Sequence, residues 1–157
     1  MDCLFFYDTE LGRVSIGEKK GAIVFLGLPG EEVPKDVPVC ETELLRRASE
    51  QLREYLSGER RTFDLPLAPE GTAFQKAVWA ELEKIPYGET RSYGQIAAQV
   101  GNAKACRAGG MANHRNPIPI FIPCHRVIGA DGSLTGYGGG LDCKKVLLRL
   151  EHNHAMC

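Results

Sequence analysis

Ser92-Tyr93-Gly94-Gln95-Ile96-Ala97-Ala98-Gln99-Val100-Gly101-Asn102-Ala103-Lys104-Ala105-Cys106-Arg107-Ala108-Gly109-Gly110-Met111-Ala112 reads as two short helical patterns, Ser92 to Val100 and Ala103 to Ala112, joined by Gly101-Asn102. A helix, a glycine turn and a second helix form the layout of a helix-turn-helix. The same layout occurs in proteins that never meet nucleic acid. Small side chains fill most of the second helix, so its backbone can come close to another surface, either a ligand or a neighbouring helix of the core. The stretch alone leaves both open. Residues 90 to 130 carry five basic residues (Arg91, Lys104, Arg107, Arg115, Arg126) and no acid, a distribution that suits a phosphate-contacting face as well as a merely solvated one.

Upstream, Thr72 can cap a helix running to about Ile85, with Phe74, Val78, Trp79 and Leu82 on one face and Pro86-Tyr87-Gly88 as its stop. Leu65-Pro66-Leu67-Ala68-Pro69-Glu70-Gly71 cannot continue a helix and reads as a linker. Before it, Leu4 to Asp8, Gly12 to Gly17 and Ala22 to Leu28 are short β-favouring runs separated by turn residues, which predicts a small antiparallel sheet. Glu41 to Ser57 sets Leu44, Leu45, Ala48, Leu52, Tyr55 and Leu56 at helical spacing, with Gly58 as the stop, and that helix should cover the sheet. Downstream, Ile118 to Ile122 and Arg126 to Ile128 read as extended, Tyr137 to Gly140 as a flexible turn and Asp142 to His152 as a closing helix. The expected organisation is an α+β chain of two domains, residues 1–68 and 69–157.

With 157 residues, 43% hydrophobic and 25% charged, the composition is that of an ordinary globular protein, and disorder is not expected. The net charge of −1 conceals an asymmetry. Residues 1 to 68 carry 9 Lys/Arg against 13 Asp/Glu, and residues 69 to 157 carry 10 against 7. No run approaches the roughly 18 apolar residues of a membrane helix, and Met1-Asp2-Cys3 opens without the regions of a secretory signal, so a cytoplasmic location is expected. The cysteines Cys3, Cys40, Cys106, Cys124, Cys143 and Cys157 are scattered without a CxxC pair. Most are therefore expected to be reduced, and no metal is expected.

Only local surroundings can single out one thiol. Ile122-Pro123-Cys124-His125-Arg126-Val127 sets a thiol beside an imidazole and a guanidinium, and nearby cations favour the nucleophilic thiolate. Neighbours on a strand point to opposite faces, so His125 reaches the sulfur only through a water or a local bend. A buried cysteine beside a satisfied histidine is the bland alternative.

Pro123 to Val127, preceded by Asn116-Pro117-Ile118-Pro119-Ile120 and followed by Gly136-Tyr137-Gly138-Gly139, resembles the O6-alkylguanine-DNA alkyltransferase (methylated-DNA:protein-cysteine methyltransferase) family. The resemblance continues through Ser92 to Ala97, Arg107-Ala108 and Leu147 to Glu151, in one order, and covers residues 72 to 152. It implies a ribonuclease H-like amino-terminal sheet-plus-helix domain and a mainly helical, winged-helix-like carboxy-terminal domain. By the same resemblance Cys124 takes an alkyl group from O6 of a guanine irreversibly, once per molecule. His125 acts through a water as its base, Glu151 orients the imidazole, Asn116 braces the turn, and Tyr93 sits at the base pocket. The carbonyls of Cys124 and Val127 accept the exocyclic amine, the Gly138 N–H meets O6, and Pro119, Thr135 and Tyr137 complete the pocket. Arg107 fills the gap left by a flipped base, and Lys104, Ala105, Ala108, Gly109, Asn113 and Arg126 contact the DNA from the minor groove. The implied partner is double-stranded DNA containing O6-alkylguanine, bound by a monomer without any cofactor and away from membranes.

Overall fold

The computed structural model describes residues 1–101, 106–134, 137 and 140–155. The chain divides into two compact units, Met1–Glu70 and Gly71–Cys157.

In the first unit β1 (Cys3–Thr9), β2 (Gly12–Lys19) and β3 (Ala22–Gly27) form an antiparallel sheet in chain order. Lys20 and Gly21 both have positive φ (51° and 77°), the geometry of a two-residue hairpin turn whose twist matches the strands it joins. The helix α1 (Glu43–Leu56) is capped by Thr42, whose side chain accepts from the Leu45 N–H at 3.1 Å, and it buries Leu45, Ala48, Leu52, Tyr55 and Leu56 against the sheet. The three-strand sheet and covering helix agree with the sequence reading.

Two features of this unit depart from it. The expected linker lies along the outer edge of β3, with Ile23 N donating to Pro66 O at 2.8 Å and Ala68 N to Ile23 O at 2.9 Å. Its prolines break a helix but tolerate an edge strand, where few donors are required. Cys3 and Cys40 are joined as a disulfide across 37 residues. Pairing of Leu4 with Val39 brings the Cα atoms of Cys3 and Cys40 to 5.6 Å, a separation that a disulfide spans. Strand register, which spacing does not reveal, makes this pair.

The second unit packs α2 (Ala73–Glu83), α3 (Tyr93–Gln99) and α4 (Cys106–His114) against one another. Thr72 with Gln75 and Ser92 with Gln95 form capping boxes, so the start of α2 and of α3 is set locally by four residues each. The Trp79 indole N–H donates to Ala112 O at 2.8 Å and ties α2 to α4 through the core. Short strands β4 (Arg91–Ser92) and β5 (Val127–Ile128) pair in parallel, and α5 (Leu141–Ala155) closes the unit.

Between α4 and β5 the extended reading fails. Residues 118–122 make a tight reversal in which Ile122 N donates to Ile118 O at 2.9 Å and Ile120 has φ of 72°. For a β-branched residue that backbone is strained and persists only where neighbours over-determine it. Asn116 does so: its Nδ2 donates to Ile122 O at 2.8 Å and its Oδ1 accepts from Ile118 N at 3.0 Å. Residues Cys124–Arg126 then form a 3-10 turn, so the second expected extended segment is shortened to Val127–Ile128. Alternating apolar and proline residues suit either shape, and only the Asn116 clamp selects the turn.

Candidate active site

A 3-10 turn distributes successive side chains about three to a turn, so adjacent residues no longer alternate between two faces. Cys124 (4% exposed), His125 (0%) and Arg126 (6%) are accordingly all buried. The local bend that a cysteine and an adjacent histidine need in order to act together is thus present.

Glu151, on the inward face of α5, gathers His125 and Arg126, the two residues after the cysteine. Its Oε2 accepts from His125 Nε2 at 2.6 Å and from Arg126 Nη2 at 2.9 Å. Its Oε1 accepts from Arg126 Nε at 2.8 Å and from the Gly88 N–H at 3.2 Å. The Arg126 Nη1 donates to Ile85 O at 2.7 Å, at the end of α2. Gly88 can serve here because its φ is +80° and a Cβ on it would lie 2.7 Å from Ala155 Cβ. Burial by itself would raise the Glu151 pKa, but the hydrogen bonds and charges of His125 and Arg126 outweigh it and bring it down to about 2. Glu151 is therefore ionised, its partner nitrogen Nε2 carries the proton, and Nδ1 is the basic nitrogen of His125. Burial also lowers the His125 pKa, against the pull of Glu151, which keeps the imidazole neutral and able to accept a proton.

Lys144 lies on the same face of α5 as Leu147 and Glu151 and is fully buried. Its Nζ donates to Val127 O at 2.6 Å and stands 5.9 Å from the Tyr93 ring. Burial lowers its pKa, and the charge of Cys124 partly offsets that. The ammonium is thus close enough to Cys124 to favour negative charge on the sulfur. Sequence reasoning missed Lys144 and Gly88. The signal for Lys144 was a charged residue at the i−3 position from buried Leu147, in step with Glu151 four residues beyond it.

The outward face of α4 carries Arg107, Ala108, Met111 and His114, with Arg115 continuing it, all exposed, while Ala112, Asn113 and Asn116 face inward. A Cβ on Gly109 would meet nothing within 4 Å, and one on Gly110 only the Tyr93 ring at ordinary contact distance. Close packing inside the unit therefore does not demand these glycines. Among the described residues no three His, Cys, Asp or Glu side chains converge as a metal set would require, and no helix is long and apolar enough to cross a membrane.

Residues 73–153 match the family described as 6-O-methylguanine DNA methyltransferase, DNA binding domain, and residues 5–69 match its ribonuclease-like domain. The chain belongs to the 6-O-methylguanine DNA methyltransferase family. It is 62% identical over 149 residues to the methylated-DNA–protein-cysteine methyltransferase of Methanosarcina acetivorans, covering 92% of this chain and 95% of the relative. With the constitutive methylated-DNA–protein-cysteine methyltransferase of Bacillus subtilis it shares 50% over 151 residues, 92% of each chain. The crystal structure of Mycobacterium tuberculosis OGT in complex with DNA superimposes with a TM-score of 0.91 at 42% identity, covering 97% of this chain and 94% of that one. An O6-methylguanine DNA methyltransferase from Methanococcus jannaschii gives 0.68 at 31% identity, with coverage of 94% and 92%.

In this methyltransferase the residues expected around the cysteine meet unevenly. His125, Glu151 and Asn116 stand as described, Tyr93 is half-buried at the first position of α3, and Pro119, Val127 and Tyr137 are buried. Arg107, Ala108 and Gly109 lie along α4, whose outward face carries Arg107 and Ala108. Two expected DNA contacts are corrected. Arg126 is buried and its guanidinium is engaged by Glu151 and Ile85, because a carboxylate fork inside the unit matches its planar donors. Asn113 is 1% exposed and points inward to Cys124, because it follows Ala112 on the buried side of α4. Lys104, Ala105, Thr135 and Gly138 lie outside the described residues.

Proposed function

We propose that this methyltransferase repairs duplex DNA by flipping O6-alkylguanine from the stack and moving its alkyl group onto Cys124. The observation that carries this reading is a buried cysteine beside a histidine that a buried carboxylate orients at 2.6 Å. This is a nucleophile, base and orienter arrangement. His125 Nδ1 takes the thiol proton through a water, and the sulfur attacks the alkyl carbon. The carbon–oxygen bond breaks, and guanine leaves with the electron pair and takes up a proton to become the ordinary base. Tyr93 is the donor that stabilises the departing base, and Lys144 favours the thiolate before the attack. The product is a thioether that no group in the site can cleave, so each molecule acts once.

A target carbon inside a stacked duplex is out of reach, and extrusion of the nucleotide costs a few kcal/mol. Arg107, exposed on a helix of small side chains, suits the vacated space, with that helix in the minor groove. The structure of the Mycobacterium tuberculosis relative in complex with DNA supports a DNA partner. We assign the chemistry to residues 69–157, without a cofactor, in a monomer working in the cytoplasm.

Incubation with duplex DNA containing O6-methylguanine tests this directly. Intact mass should rise by one methyl per protein, peptide mapping should place it on Cys124, and product should plateau at one equivalent. Cys124→Ser should bind the DNA without transfer. A methyl on Cys106 or Cys143, or turnover beyond one equivalent, would refute the assignment.

A further inference from the structure

Glu151 is an ionised carboxylate inside the second unit, and a buried charge needs a counter-charge in the same place. Two side chains compete for that part. His125 meets one oxygen through Nε2 at 2.6 Å, whereas Arg126 takes both, with Nε on Oε1 at 2.8 Å and Nη2 on Oε2 at 2.9 Å. A guanidinium keeps its charge at every working pH and fits a carboxylate as a planar fork. An imidazole does neither. The permanent cation of the cluster is therefore Arg126, and Glu151 does not have to draw a proton onto His125.

The guanidinium is held in turn by the Pro86-Tyr87-Gly88 stop after α2 and the residue before it. Its Nη1 donates to Ile85 O at 2.7 Å, its Cζ lies 5.7 Å from the centre of the Tyr87 ring, and the Gly88 N–H reaches Glu151 Oε1 at 3.2 Å. One short segment thus grips both members of the ion pair.

Among the described residues, the charges facing the imidazole are Glu151 and Lys144 from α5 and Arg126 beside it on the turn. Glu151 draws a proton onto His125, while burial, Arg126 and Lys144 oppose it, and the balance leaves the ring neutral. Without Arg126 the full charge of Glu151 would fall on His125, and the imidazole would become the cation of the pair. A protonated His125 has no site left for the thiol proton.

We propose that Arg126 is a positioning residue of the proton relay, the permanent counter-charge of Glu151 that leaves His125 neutral and the fork that fixes the carboxylate plane orienting the imidazole. The inference rests on the alkyl-transfer reading above and names what keeps its base able to accept a proton.

Two variants of the full chain separate charge from geometry. Arg126→Met fills the space without charge, and Arg126→Lys keeps the charge without the fork. The imidazole nitrogen NMR signals of His125, identified by their loss in His125→Asn, are followed with pH beside the single-turnover transfer rate on saturating duplex O6-methylguanine. In the parent His125 should be neutral at pH 7 with its proton on Nε2. In Arg126→Met its protonation midpoint and the acid limb of the rate profile should rise together by about one pH unit or more, which is about ten-fold in rate on that limb. Arg126→Lys should hold the midpoint near the parent's and lower the plateau rate several-fold, and it covers the case in which the methionine variant does not fold. A merely structural Arg126 would lower the melting temperature and leave the midpoint and the acid limb in place. That outcome in a folded Arg126→Met, a full plateau rate in Arg126→Lys, or a parent His125 protonated at pH 7 would overturn the proposal. Absence of transfer by the parent chain, with the His125 titrations as expected, would instead overturn the alkyl-transfer reading.

Discussion

Glu151 takes four hydrogen bonds from three residues in a place that water does not reach, and its charge state bears on stability and, under the proposed relay, on rate. Its pKa is near 2 against an ordinary 4.5, so it contributes stability that is complete above about pH 4.5 and is lost as pH falls toward 2. The shift corresponds to about 3 kcal/mol. The His125 pKa is lowered from 6.5, so the unfolded chain takes up that proton first and stability also declines as pH falls below 6.5. Urea midpoints should therefore be level above about pH 7 and fall through pH 5.5 and 4, and Glu151→Gln should remove the lower part of that decline. The same variant should slow methyl transfer by roughly ten- to hundred-fold at neutral pH through the weakened base, with duplex affinity unchanged. A stopped-flow rate equal to the parent's would leave Glu151 a structural role only. Arg126→Ala tests the corrected role of that residue. Removing one partner of a buried pair should destabilise the protein by about 3–5 kcal/mol while DNA affinity changes little. A large loss of affinity without a change in melting temperature would restore Arg126 to the DNA surface.

The second helix of the pair, α4, separates two tasks by its faces. Its inward residues Ala112 and Asn113 belong to the core and to the nucleophile, and its outward residues Arg107, Ala108, Met111 and His114 are exposed, in a stretch of sequence (residues 90–130) without acids. Internal packing does not demand Gly109 or Gly110 of this helix, which favours the reading that something outside the protein comes close to it. Arg107→Ala should then slow transfer from duplex O6-methylguanine strongly while leaving transfer from the free base within about two-fold, since only the duplex substrate pays for unstacking. Equal losses on both substrates, with a lower melting temperature, would show that Arg107 supports the unit internally. In the neighbouring reversal, Asn116→Ala removes two buried hydrogen bonds and frees the strained Ile120. It should destabilise the protein by about 2–4 kcal/mol and disorder the turn that presents Cys124, visible as lost near-ultraviolet dichroism.

At the scale of the molecule, the chain holds its reactive thiol and its disulfide in different compact units, Cys124 in Gly71–Cys157 and the Cys3–Cys40 bond in Met1–Glu70. Closing a 37-residue separation restricts the unfolded chain by about 4 kcal/mol in the chain-entropy account. Reduction, or Cys40→Ser, should lower the denaturant midpoint of the first unit, while the one-equivalent methylation of Cys124 proceeds at an unchanged rate. A parallel fall in transfer rate would show that the first unit supports the chemistry of the second.

Much of this architecture was legible in local pattern. The β-favouring runs of the first strands, the helical spacing of Leu45, Ala48, Leu52 and Tyr55, and the Thr72 cap are properties of a few neighbouring residues, and each element formed where they indicated. Pro123-Cys124-His125 by itself left a buried structural cysteine open, and only the family resemblance around it singled out Cys124 as the candidate nucleophile. Partnerships across long separations were not legible. Arg126 read as a surface cation until Glu151, 25 residues away, filled its fork, and Lys144 went unnoticed although its ammonium meets the Val127 carbonyl. Asn113 and the Cys3–Cys40 pair follow the same rule. A side chain's hydrogen-bonding and redox partners depend on which elements the fold brings together, so tertiary structure alone decided that Asn113 and Arg126 serve the buried site and not the surface.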